Sequence, residues 1–229
     1  MIETRLKKWD LVLPLYYGLF LNVFDTRQLL EMMRRTLEQC LDIEDMFSEM
    51  SAVTGHLNKQ GILNHFTRTE NMSHCTTRFL KKGTADARRE YPVETEMLGS
   101  VSTLTISGFI LTPRTIGARV VLTSDQLRLL GGDIVTSGDD LETSSDSVIS
   151  AMVGPVSGRR THVTLGCAPG VKPVQTGLDQ LEVLGLVSRG QHGQCHQVSG
   201  ALVSGLGEGR WIIGLQSHLT FNCIYTGSF

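Results

Sequence analysis

The sequence predicts an α+β fold, and three observations predict it. Stretches such as "LGSVSTLTISGFILT" (98–112) and "GARVVLTS" (117–124) alternate in the two-residue period of strands. "TRQLLEMMRRTLEQCL" (26–41) instead spaces Leu29, Leu30, Met33, Leu37 and Leu41 along one helical face. The two kinds of segment follow one another irregularly, without the strand–helix–strand rhythm of a doubly wound parallel sheet. At 229 residues, 41% hydrophobic and 19% charged, the chain can bury its own core as one large domain or two closely packed lobes.

The elements follow in order. "LVLPLYYGLFLNVF" (11–24) is apolar but, at fourteen residues, too short to span a bilayer, so it reads as a buried strand. Asp25 or Thr26 is placed to cap the first helix, and a shorter helix follows around "DIEDMFSEM" (42–50). Residues 52–71 read as loop, and a strand runs through "HCTTRFL" (74–80). "TADARREY" (84–91) is a short helix ended before Pro92. Residues 131–158, rich in Gly, Ser and Asp and without Lys or Arg, form a long exposed acidic loop that divides two lobes. "RTHVTLGCA" (160–168) is a strand, "PVQTGLDQLEVLGLV" (173–187) a helix with Pro173 in its first turn, and three strands lie near 197–204, 210–216 and 218–226.

Composition narrows the partners. A formal net charge of −2 gives no basic footprint, so duplex DNA held by counterion release is not expected. Five scattered cysteines, an odd number without a CxxC pair, fit reduced thiols in the cytoplasm. "HGQCH" holds His192, Cys195 and His196 but lacks a second ligand pair, so no metal or cofactor is expected. The start, "MIETRLKKWD", has no signal-peptide core, and neither a P-loop nor a C-terminal prenylation box is present.

Chemistry concentrates in one short pattern. His-x-Thr occurs four times, at His65/Thr67, His74/Thr76, His162/Thr164 and His218/Thr220, where chance would give about one. In a strand, i and i+2 share a face, so ring and hydroxyl point the same way. His65/Thr67 falls in a loop-like segment. His162/Thr164 is strongest, because Val163, Leu165 and Cys167 form the opposite, apolar face. His74/Thr76 and His218/Thr220 fit a strand equally well, and spacing does not choose between them. One strand histidine is ordinarily a packed or surface residue; a pair is chemically meaningful. Cleaving a cyclic phosphodiester needs one group to take a proton from water and another to give one to the leaving oxygen. Two imidazoles with ordinary pKa about 6.5 can do both near neutrality, while two hydroxyls hold the phosphate oxygens.

Longer strings carry a resemblance. "SHCTTRF" and "RTHVTLGCA" followed by "VKPVQTGLDQLEVL" resemble the two signature regions of the 2′,3′-cyclic nucleotide 3′-phosphodiesterase family, part of the two-histidine phosphoesterase superfamily. "LPLYYGLFL", "TLTISGFILTPRTIGARVVL", "LGEGRWIIGL" and "IYTG" are similar to it in the same order, nearest to its regeneration-induced branch in fishes. Residues 42–71 and the acidic loop resemble it least. The resemblance implies a two-lobed fold with an antiparallel sheet and flanking helices in each lobe, and residues 1–229 as one catalytic domain. It selects His74, Thr76, His162 and Thr164 and leaves the other two triplets without a role. It implies metal-independent hydrolysis of nucleoside 2′,3′-cyclic phosphates to 2′-phosphates, with His162 as general base, His74 as general acid, and Thr76 and Thr164 on the phosphate. Tyr16, Phe79, Arg160, Pro173, Val174 and Gln175 match pocket positions. Phe79 would stack on a nucleobase, and backbone groups of Pro173, Val174 and Gln175, at a helix start where N–H donors are free, would hold anion or water. The implied partners are 2′,3′-cyclic nucleotides or RNA ends carrying a cyclic phosphate. The family's upstream P-loop domain and lipid anchor have no match here, so the chain is expected to be a domain of a longer protein, with membrane attachment left to the rest of that parent. The competing expectation is an RNA-binding or cytoskeleton-associated scaffold with incidental turnover.

Overall fold

The computed structural model describes residues 14–67, 72–79, 97–130 and 161–228. The expected 84–91 helix, the acidic loop at 131–158 and Arg160 lie outside these residues. Eight strands form one sheet: β1 (Tyr16–Leu21), β2 (His74–Phe79), β3 (Val101–Leu111), β4 (Thr115–Val121), β5 (His162–Cys167), β6 (Cys195–Val198), β7 (Ala201–Gly205) and β8 (Trp211–Ser228). Their order is β1-β2-β5-β4-β3-β8-β7-β6, every pairing is antiparallel, and β1 also pairs with β8. That extra pairing closes six strands into a barrel. The fold is therefore α+β, as the sequence predicts. The expected separate sheet in each lobe is replaced by one continuous sheet, because the two motif strands join directly at Cys75–Val163.

Alternation explains what fills the ring. Leu19, Leu21, Cys75, Leu104, Ile106, Ile116, Ala118, Val163, Leu165, Phe221, Cys223 and Tyr225 are buried in one cluster, each on the face of its strand opposite the polar set. β8 reads in the sequence as two strands but runs unbroken for 18 residues. Its first part pairs with β7 over Trp211–Leu215 and its last with β1 over Cys223–Ser228. His218 and Thr220 lie between these stretches and are exposed.

Helices α1 (Val23–Cys40), α2 (Glu44–Val53) and α3 (Lys59–His65) add Leu29, Leu37, Cys40, Met46, Met50 and Ile62 to the same core. Asn22 caps α1, its side chain accepting from the Asp25 N–H, rather than the expected Asp25 or Thr26. Thr26 is buried and its hydroxyl accepts from the Ser73 N–H at 2.9 Å, which fastens the start of β2 to the start of α1. α3 lies in a segment that the sequence reads as loop; Asn58 caps it by accepting from the Gly61 N–H. A short α4 (Ser124–Leu127) follows β4.

α5 (Gln175–Ser188) covers the outer face of the sheet. Its Val183, Leu184 and Val187 pack on Ile110 and Ile212 in a second cluster. Asp179, fully buried on α5, ties the helix to the β3–β4 turn. Its carboxylate accepts from the Thr112 and Thr115 hydroxyls at 2.7 Å each and pairs with Arg114 at 2.6 Å. Charge-assisted bonds on a buried acid are among the stronger polar contacts of a fold, and here they set the height of α5 over β4 and β5.

Candidate active site

One cavity of about 580 Å³ gathers both motif pairs. His74, Thr76, His162 and Thr164 all line it, with Tyr16, Phe79, Pro173 and Val174. The reason is local. Cys75 and Thr77 on β2, and Val163 and Leu165 on β5, turn into the barrel, so the intervening histidine and threonine face outward. β2 and β5 are neighbours, and the two outward faces meet in one groove.

The two halves repeat a device. Across the ladder Thr76 faces Gly18, and Thr164 faces Gly117. Neither threonine has a side chain opposite it to cover the hydroxyl. In each half the register shifts just after the threonine, leaving Thr77 on β2 and Leu165 on β5 without a partner in the ladder. A bulge of this kind changes the phase of everything beyond it. By strict alternation Phe79 would leave the face of His74; after the bulge it pairs with Tyr16 on the groove side.

The supports of the two histidines differ. The His74 ring stacks against both Tyr16 and Phe20, with centroids 4.8 and 4.9 Å away and planes tilted by 26° and 25°, while those two rings stand 6.1 Å from each other. Phe79 extends this cluster, 5.7 Å from Tyr16, and is 71% exposed. His162 pairs across the ladder with buried Arg119 and lies beneath α5 at Gly177. The Thr164 hydroxyl donates to the Pro173 carbonyl at 3.4 Å. Met72, Val174, Leu178 and Leu181 give the mouth an exposed apolar rim. A contiguous rim of this sort marks a binding surface.

Several expectations need correction. The Gln175 side chain does not line the cavity; its amide donates to Asp179 at 2.7 Å. The N–H groups of Gln175 and Thr176 are not open donors, because they bond to the Lys172 and Pro173 carbonyls at 2.9 and 3.0 Å in the turn that starts α5. Lys172 and Thr67, neither among the selected site residues, also line the cavity. Lys172 carries a positive charge into the cavity wall, and Thr67 reaches it through a two-way backbone bridge with Cys167. Thr67 belongs to a triplet set aside as loop, and its partner His65 ends α3 edge-on against Phe66.

Cys40 and Cys75 are not candidates for covalent chemistry. Burial pushes Cys75, on the inner face of β2, up to about 12, and Cys40 likewise. A thiol held that high is not a nucleophile near neutral pH. His192 and His196 line a separate hollow of about 430 Å³ with Asp45, Glu49 and Trp211. Among the described residues no three His, Cys, Asp or Glu side chains stand together so as to hold a metal ion. No described helix is long and apolar enough to cross a membrane.

A six-stranded barrel that presents two His-x-Thr strands to one groove defines a paired-histidine class of protein. Comparison with known proteins narrows the class. A family model described as 2′,3′-cyclic nucleotide 3′-phosphodiesterase matches residues 13–229. The 2′,3′-cyclic-nucleotide 3′-phosphodiesterases of Rattus norvegicus and Mus musculus are each 34% identical to the chain, over 95% of its length and 51% of theirs. That of Pongo abelii is 33% identical with the same coverage. The chain belongs to the 2′,3′-cyclic nucleotide 3′-phosphodiesterase family. It spans about half the length of the curated relatives it matches.

Proposed function

We propose that the domain hydrolyses nucleoside 2′,3′-cyclic phosphates to nucleoside 2′-phosphates with its own side chains. The observation that carries this reading is the meeting of His74, Thr76, His162 and Thr164 on one cavity wall. His162 takes a proton from water, and the water oxygen bonds to phosphorus. The bond from phosphorus to the 3′-oxygen breaks, and His74 gives that oxygen its proton. Thr76, and Thr164 once its proton turns from the Pro173 carbonyl, donate to the non-bridging oxygens as charge builds on them, a role in which one preorganised donor contributes about 10²–10³-fold. The bond that breaks is chosen by the relatives' name, a 3′-phosphodiesterase.

The surrounding residues fit this substrate. Phe79 offers an open aromatic face for a base, and Tyr16, Pro173 and Val174 line the space beside it. The groove opens at an exposed rim, so an RNA end carrying the same cyclic phosphate enters without threading. Arg160, two residues before His162, is assigned to the phosphate or nucleotide. We take residues 1–229 as one catalytic domain and the single Cys75–Val163 pairing between the motif strands as the seam between its two lobes. Five unpaired cysteines fit a reducing cytoplasm.

Phosphorus NMR of the product from a 2′,3′-cyclic nucleotide tests the reading. The expected result is the 2′-phosphate alone, at a rate unchanged by EDTA. A 3′-phosphate would reverse the assignment of the leaving oxygen. Activity lost in EDTA and restored by a divalent metal would reject the two-histidine mechanism.

A further inference from the structure

The geometry points to Gly177 as the positioning residue for His162, an inference that rests on the function proposed above. Gly177 sits on the first turns of α5, where glycine is a weaker helix former than alanine. A Cβ at this position would stand 2.8 Å from His162 Cε1, 3.5 Å from Nδ1 and 3.6 Å from Nε2. The helix backbone therefore lies directly against the imidazole, and the side-chain hydrogen of glycine is all that fits between them.

The contact is reciprocal. On the strand side, a Cβ at Gly117 would come within 2.6 Å of Thr176 Cγ2, and Thr176 is buried. Helix and strands thus fill each other's glycines: Thr176 sits over Gly117, and His162 sits under Gly177. Asp179, two residues on, clamps the helix to the β3–β4 turn, so α5 cannot rise to make room. The ring must yield instead, and a proton acceptor displaced by about 1 Å costs on the order of 10²-fold in rate.

A second helix glycine supplies the control. At Gly185 a Cβ would meet only the end of the Arg189 side chain, at an ordinary 3.4 Å. Gly185→Ala should hold or raise the melting temperature, and Gly177→Ala should remain folded with the ring displaced. Gly177→Ala alone should lower kcat about 10²-fold with KM little changed, and should shift the ring resonances of His162 but not those of His74. In a His162→Ala background the same substitution should cost no further activity, since the ring it displaces is gone.

Wild-type kcat in Gly177→Ala, unmoved His162 resonances, or an equal further loss in the His162→Ala background would each overturn the inference. If Gly177→Ala fails to fold, recovery in the Gly177→Ala/His162→Ala double variant supports the contact, and continued misfolding rejects it. The resonances decide the contact without any turnover. Inactivity of the wild-type domain on a cyclic nucleotide would instead count against the proposed function.

Discussion

The two halves of the groove share a frame and differ in what holds it. In both, a histidine and a threonine project from a barrel strand, a glycine faces the threonine, and a bulge follows. On the β1–β2 side the histidine stacks against a pair of aromatic rings and the wall ends in an exposed Phe79. On the β4–β5 side it lies under a helix fixed by a buried carboxylate. The frame makes the two histidine positions equivalent in outline. The supports make one side an open aromatic platform and the other a rigid seat under a helix.

Breaking the frame should cost most. His74→Ala and His162→Ala should each lower kcat by about 10²–10⁴-fold, and the double variant should be little worse than either single one. Steady-state kinetics check this, with His65→Ala and His218→Ala unchanged; equal damage at His218 would undo the choice among the four triplets. The rate should rise and then fall with pH, its limbs belonging to the coupled pair.

Breaking one support should show as stability. Asp179→Ala removes the acceptor of two hydroxyls and the partner of Arg114, and should cost about 3 kcal/mol in urea unfolding. It should also lower kcat, because α5 then no longer presses on His162. Breaking the other support should show as binding. Phe79→Ala should raise KM by the 1–3 kcal/mol typical of base–aromatic stacking, with kcat nearly kept. A kcat defect at Phe79 with unchanged KM would mean that the platform serves His74 and not the base.

Alternation made much of this legible in the sequence. His74, Thr76, His162 and Thr164 lie on outward faces because the residues between them are apolar, and that pattern is visible without coordinates. Phe79 was legible only by resemblance, since the parity of its position argues against it until the bulge at Thr77 is known. α3 does not show in the sequence because Gly61 and Asn64 weaken its propensity; its Asn58 cap and buried Ile62 compensate. The Asp179 clamp joins residues 67 apart in sequence, and no local pattern announces such a pairing. Of the donors expected at the start of α5, the Gln175 N–H is not free, because the turn bonds it to the Lys172 carbonyl.

Closing the barrel through β1 and β8 also governs how the chain behaves in a crowded solution. A strand with an unsatisfied edge is a template for another molecule's backbone. The ring gives the ends of the six-strand order to each other and leaves β6, four residues long, as the terminal edge of the sheet. Prising β1 from β8 would bare two edges at once, with Leu19, Leu21 and Tyr225 beneath them. The first sign of a weakened β1–β8 junction should therefore be self-association, arriving before any loss of turnover.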